Sequence, residues 1–71
     1  MSVSFGERLK ELRKAAELTQ ASLAEALGVH LQTVSKWERG ISEPDLSVLG
    51  GLAAALGITL EKLLAQEEGE T

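Results

Sequence analysis

The sequence has 71 residues, a formal net charge of −4 and no cysteine. This length allows one domain with one small core, and the lack of cysteine excludes a disulfide framework and a thiolate metal site. No stretch approaches the roughly 20 apolar residues that span a bilayer, and the first residues lack the basic and apolar segments of a signal peptide, so we expect a cytoplasmic protein without a membrane partner.

The negative charge is concentrated in the last third of the sequence. Residues 1–18 hold four basic and three acidic side chains (+1), residues 19–40 hold two of each (0), and residues 41–71 hold one basic and six acidic (−5). A terminal run of like charges is usually solvated, so we expect a domain of residues 1–65 followed by a disordered acidic tail of residues 66–71. The negative total predicts only modest electrostatic attraction to nucleic acid.

Apolar residues recur with the period of a helix, and the first helix is expected at about residues 5–16. Ser4 and Glu7 have the spacing of a capping box, in which each side chain bonds the backbone N–H of the other residue. The apolar side chains that share one face of this helix are Phe5, Leu9, Leu12 and Ala16. This stripe predicts a helix that packs on the core along one side.

Four further helices are expected, with short loops between them. The residues at their expected boundaries are Thr19 and Gly28 for helix 2, His30 and Gly40 for helix 3, Asp45 and Gly57 for helix 4, and Thr59 for a short helix 5. The predicted fold class is therefore all-α, a compact bundle of five helices.

Gly50 and Gly51 interrupt helix 4. Each costs about 1 kcal/mol relative to alanine in a helix interior. Three explanations are open: neutral tolerance, local loosening of the helix, and close approach of another backbone within the domain or across a dimer. We favour close approach.

Helix 3 has an apolar side and an opposite polar side. Val34 and Trp37 point in one direction, so Trp37 is expected to pack in the core rather than to stack on a base. The opposite side carries Gln32, Ser35, Lys36 and Arg39. Glutamine bonds adenine edges and lysine donates to guanine, while serine allows close approach and arginine can hold a phosphate. Any solvent-exposed helix could carry such residues, so the pattern favours a DNA-reading helix without proving it.

The segments around this helix resemble the Cro/repressor-type (Xre-like) family of helix-turn-helix proteins. The resemblance is carried by residues 19–29 (TQASLAEALGV), residues 32–40 (QTVSKWERG) and residues 43–45 (EPD), and it covers about residues 5–65. It implies a five-helix domain like those of the lambda and 434 phage repressors, with the helix-turn-helix at about residues 20–39. It also implies a homodimer that binds double-stranded operator DNA and regulates transcription.

Functional roles carry over from this resemblance residue by residue. Gln20 matches a position that bonds the DNA backbone and braces helix 3. The positions that match base-reading residues are Leu31, Gln32 and Lys36, and those that match residues near sugar and phosphate are Thr33, Ser35 and Arg39. Arg13 and Glu38 match an ion pair that links helix 1 to helix 3.

Besides Gly50 and Gly51, two positions depart from the family pattern. Leu31 stands where the family often has a polar residue, and it either contacts a thymine methyl group or packs on the core. His30 stands where serine, threonine or aspartate would cap helix 3, and a charged imidazole there would oppose the helix dipole. We expect His30 to be structural, because a lone histidine is seldom a metal ligand or a catalytic group.

Helix 5 is expected to form the homodimer interface. A small core leaves surplus apolar surface on so short a terminal helix, and the residues concerned are Ile58, Leu60, Leu63 and Leu64. A dimer of this kind is expected to bind half-sites about 34–36 Å apart on DNA.

The leading functional hypothesis is a transcriptional regulator, expected to be a repressor, that recognises a palindromic operator as a dimer. One alternative is a protein-interaction module such as an antitoxin, which would bind a protein partner (a toxin or another regulator) through the acidic C-terminal segment. A restriction–modification controller and a domain that has lost DNA binding are further alternatives. We expect no enzymatic activity, no cofactor and no metal, because the sequence has one histidine, no ligand cluster and no glycine-rich phosphate loop after a strand.

Overall fold

The computed structural model describes residues 4–65, and within that range the chain forms five α-helices and no strand. The helices are α1 (Phe5–Ala15), α2 (Gln20–Leu27), α3 (Leu31–Arg39), α4 (Leu46–Leu56) and α5 (Leu60–Leu64). The predicted all-α bundle of five helices is confirmed. The acidic tail predicted for residues 66–71 lies outside the described residues.

Side-chain hydroxyl groups cap three of the helices. Ser4, Thr19 and Thr59 precede α1, α2 and α5, and the hydroxyl oxygen of each accepts a hydrogen bond from the backbone N–H three residues later. At α2 the capping is reciprocal, because Ser22 Oγ accepts from the Thr19 N–H at 2.9 Å. These bonds satisfy backbone donors that a helix leaves unpaired at its start.

α3 begins without a side-chain cap. His30 occupies its N-cap position with an extended backbone, and the imidazole makes no capping hydrogen bond.

Replacing His30 by serine would supply an acceptor hydroxyl, so we expect the free energy of unfolding to rise by about 1 kcal/mol. Urea denaturation at neutral pH measures this change. The matched control is His30→Ala, whose side chain cannot cap the helix; equal stability of the serine and alanine variants would contradict the prediction.

The core is built around α3, which packs against α1 and α2, while α4 packs against α2 and α5. The buried apolar side chains are Leu9, Leu23, Ala24, Val34, Trp37, Leu49, Leu52, Ala53, Leu56 and Leu63. Trp37 is only 5% exposed. Its predicted place in the core is confirmed, and its ring is not free to stack on a base.

The expectation that Leu63 lies at a homodimer interface is wrong. Leu63 is 1% exposed and belongs to the core of the single chain. Leu60 and Leu64 are 45% and 47% exposed, and Ile58 is partly buried against the core. The reason is that a five-residue helix is too short to be stable alone, so one of its sides must pack onto the domain.

Within the domain, no close backbone approach is found at Gly50 or Gly51, and one is found at Gly6 instead; an approach across a dimer stays a prediction. A Cβ atom at Gly50 would meet nothing within 4 Å, and one at Gly51 would make only an ordinary contact, 3.4 Å from a leucine methyl carbon. A Cβ atom at Gly6 would lie 2.6 Å from the carbonyl oxygens of both Trp37 and Glu38. Gly6 therefore allows the first turn of α1 to lie directly against the last turn of α3.

Candidate nucleic-acid interface

α3 buries one side and exposes the other. Val34, Trp37 and Glu38 are buried. The residues of α3 predicted to contact DNA are exposed (Leu31, Gln32, Lys36 and Arg39) or half-buried (Thr33 and Ser35). Helix geometry places five of them side by side, and we call this surface the reading face (Leu31, Gln32, Ser35, Lys36 and Arg39).

A buried ion pair anchors α3 from behind the reading face. Arg13 Nε donates to Glu38 Oε2 at 2.6 Å, and Arg13 Nη2 donates to Glu38 Oε1 at 3.2 Å, which makes the contact bidentate. Arg13 Nη1 also donates to the carbonyl oxygen of Leu18 at 2.8 Å. The two charged side chains are 9% and 3% exposed. α1 is therefore joined to the end of α3 by the pair that the family resemblance implies, in a place where salt screens little.

The Glu38 carboxyl group is ionised at neutral pH. Burial raises the pKa of Glu38, but hydrogen bonds from Arg13 and Gln20 and the positive charge of Arg13 together lower it by more. The net result is a pKa below the ordinary value of this side chain. Because folding lowers the pKa, the ion pair stabilises the fold above the unfolded pKa, and this contribution is lost as the pH falls through the folded-state value.

Gln20, the first residue of α2, contacts the same carboxylate. Its Nε2 donates to Glu38 Oε1 at 3.0 Å, so the two helices of the helix-turn-helix are joined at this point. The family resemblance implies that Gln20 braces α3, and this hydrogen bond is such a brace. Its contact with the DNA backbone stays a prediction.

The Arg39 side chain folds back along α3 and bonds Ser35, one turn earlier. Its Nε donates to Ser35 Oγ at 3.1 Å and to the Ser35 carbonyl oxygen at 3.4 Å. These bonds reduce the rotamer freedom of an exposed arginine, and therefore the entropy it would lose on binding a partner. The guanidinium group is thus held at the C-terminal end of the reading face, and its contact with a phosphate stays a prediction.

Leu31 does not pack on the core. It is 48% exposed, whereas Val34 and Trp37, the other large apolar residues of α3, are 0% and 5% exposed. The sequence left open whether Leu31 packs on the core or contacts a thymine methyl group, and this exposure excludes packing on the core. Leu31 instead forms the N-terminal end of the reading face, next to Gln32 and one turn before Ser35.

Gly6 supports this site and was not identified from the sequence. It does not touch the reading face, but it sets the distance between α1 and the carbonyl end of α3. The only signal in the sequence is a glycine in the first turn of an otherwise well-formed helix, where alanine would be the better helix former. That signal does not say which neighbour requires the glycine.

Two other kinds of site are absent from the described part of the chain. Within residues 4–65, no group of three or more His, Cys, Asp or Glu side chains is placed to hold a metal ion. In the same range, no helix is both long and apolar enough to cross a membrane.

Comparison with known sequences gives a family match over most of the chain. The profile of the helix-turn-helix family matches residues 9–63. The HTH-type transcriptional activator BcrR of Enterococcus faecalis is 38% identical over 66 residues, which are 93% of this chain and 32% of BcrR. Two regulators from Bacillus subtilis also match. The chain spans between 32% and 57% of the length of these three curated relatives.

Solved structures with the same fold include complexes with DNA. The P22 c2 repressor in complex with a synthetic operator is 35% identical, with a TM-score of 0.79 over 87% of this chain and 94% of that one; the repressor comes from a Salmonella phage. The restriction-modification controller protein C.AhdI from Aeromonas hydrophila is 40% identical, with a TM-score of 0.79 over 84% of this chain and 91% of that one.

Proposed function

Because this chain belongs to the helix-turn-helix family, we propose that it is a transcriptional regulator that binds specific DNA sequences by placing α3 in the major groove. The observation that carries the proposal is that α3 has one buried side and one exposed polar side. Its apolar side and the Arg13–Glu38 pair hold the helix in the domain, and its polar side is open to solvent. A helix about 10–12 Å across fits a major groove about 12 Å wide.

Each polar residue of the reading face has a distinct task in this proposal. Gln32 bonds the edge of an adenine, and Lys36 donates to a guanine. Ser35 is short enough to let the helix approach the bases, and Arg39, held by Ser35, contacts a phosphate. Thr33 and Gln20 contact the DNA backbone, which positions the helix without reading sequence.

Two substitutions on the reading face test this assignment. Gln32→Ala and Lys36→Ala should each weaken binding to the preferred duplex by about 1–3 kcal/mol, and each should relax the preference at one base pair per half-site. Affinity is measured by fluorescence anisotropy on the preferred duplex and on duplexes changed at one base pair.

The control for lost charge is Lys62→Ala, on α5. It removes one positive charge outside the reading face, so any loss of affinity should be the same on every duplex. If Lys36→Ala behaved like Lys62→Ala, with no change in base preference, Lys36 would not be a base-reading residue.

Dimerisation belongs to the same proposal. Leu60 and Leu64 remain about half exposed. Leu64 also lines a groove of about 210 Å³, together with Phe5, Glu43, Pro44, Leu46 and Leu49. Arg8 Nη2 donates to the Lys62 carbonyl oxygen at 3.0 Å, which fixes α5 to α1. We propose that this surface, with Ile58 at its margin, pairs two copies on a palindromic operator with half-sites about 34–36 Å apart. The P22 repressor is the precedent for repression as the outcome.

A further inference from the structure

Leu31 is an apolar residue at the end of a polar DNA-reading surface. We propose that Leu31 reads a thymine in each operator half-site, by packing its side chain against the C5 methyl group in the major groove. The inference rests on the proposed function, since it requires α3 to enter that groove. It adds a specificity-determining residue whose chemistry differs from that of Gln32 and Lys36.

The position of Leu31 supports this role. It is the first residue of α3, and the N-terminal part of a recognition helix is the part that contacts base edges. Gln32 follows it directly and Ser35 lies one turn later, so the leucine belongs to the reading face by helix geometry. It is 48% exposed, and this area is available for a contact.

The chemistry of Leu31 restricts what it can recognise. A leucine side chain has no hydrogen-bonding group, so it gains nothing from a phosphate or from a donor or acceptor on a base. The thymine methyl group is the one apolar group that normal base pairs present in the major groove. The other exposed leucines of the described chain, Leu46, Leu60 and Leu64, lie on α4 and α5 and are not part of this helix.

The test uses the full 71-residue chain and the duplex that it selects from random DNA. Each thymine of that duplex is replaced in turn by deoxyuridine, which keeps every hydrogen-bonding group and lacks only the C5 methyl group. We expect one thymine in each half-site at which this change weakens binding about fourfold, the effect of one buried methyl group. With Leu31→Ala protein, thymine and uracil duplexes should bind equally at that position.

Two further variants complete the test. Leu31→Asn keeps the number of side-chain heavy atoms and the branching at Cγ but is polar, so it should also lose the preference for thymine over uracil. Ile41→Ala removes an exposed apolar side chain outside the helices and should retain the fourfold preference. Thermal melting of each variant confirms that it is folded, which is expected because Leu31 is not part of the core.

The outcomes separate the inference from the proposed function. A selected duplex in which no thymine responds to loss of its methyl group overturns the inference and leaves specific DNA binding intact. The same holds if Leu31→Ala protein still prefers thymine to uracil at the sensitive position. Failure to select any duplex overturns the proposed function, and the inference with it.

Discussion

Replacing Gly6 by alanine is expected to destabilise the fold by about 3 kcal/mol, although alanine is the better helix former. The added Cβ atom would lie 2.6 Å from the carbonyl oxygens of Trp37 and Glu38 and 2.9 Å from the Glu38 carbonyl carbon. These are backbone atoms of a helix, so they cannot rotate away as a side chain could. α1 must therefore move off α3, which loosens the packing of Leu9 and Trp37 in the core.

Gly50→Ala is the matched control for this substitution. It makes the same chemical change inside a helix, but its Cβ atom would meet nothing within 4 Å. The control should therefore gain up to about 1 kcal/mol from helix propensity alone. Urea denaturation of both variants compares the two directly. A Gly6→Ala variant as stable as the natural chain would show that α1 and α3 are not in the close contact described.

Replacing Arg13 by leucine is expected to cost about 3–5 kcal/mol, because it leaves the Glu38 carboxylate buried without its partner. The substitution removes both bonds to Glu38 and the bond to the Leu18 carbonyl oxygen. Only the bond from Gln20 would remain to the carboxylate. Domains of this size seldom have much more than about 3–5 kcal/mol of stability, so a large fraction of the variant should be unfolded at neutral pH.

Two controls show whether the loss comes from the buried charge. Lys14→Leu removes a neighbouring exposed cation of α1 and should change stability by no more than about 0.5 kcal/mol. The double variant Arg13→Leu with Glu38→Leu should recover much of the lost stability, since no buried charge is left unpaired. Circular dichroism with urea denaturation measures all three. A double variant no more stable than Arg13→Leu alone would contradict this explanation.

The helices and the polar side of α3 could be predicted from the sequence because their causes are local. Helix ends depend on residues such as Thr19 and Gly28, whose capping chemistry acts within a few positions. The division of α3 follows from the 3.6-residue period of a helix, which separates Val34 and Trp37 from Lys36. The Arg13–Glu38 pair was implied by family resemblance, and helix geometry alone only allowed it.

What could not be predicted depends on contacts between residues distant in sequence. The need for Gly6 comes from the last turn of α3, about 30 positions away, and helix propensity carries no trace of that neighbour. The burial of Leu63 depends on how α5 lies on the domain, so the three leucines of this short helix do not reveal which of them faces inwards. The half-exposed state of Leu31 likewise depends on where the core ends.

Selection of binding sites from random duplex DNA tests the central claim most directly. The chain is mixed with a pool of random duplexes, the bound fraction is amplified and sequenced, and the cycle is repeated with the Gln32→Ala and Lys36→Ala variants. We predict a short palindrome with half-site centres about 10 base pairs apart, in which each variant relaxes a different position of the half-site. A pool that stays random after repeated cycles would contradict the claim that α3 reads DNA sequence, whatever the strength of non-specific binding.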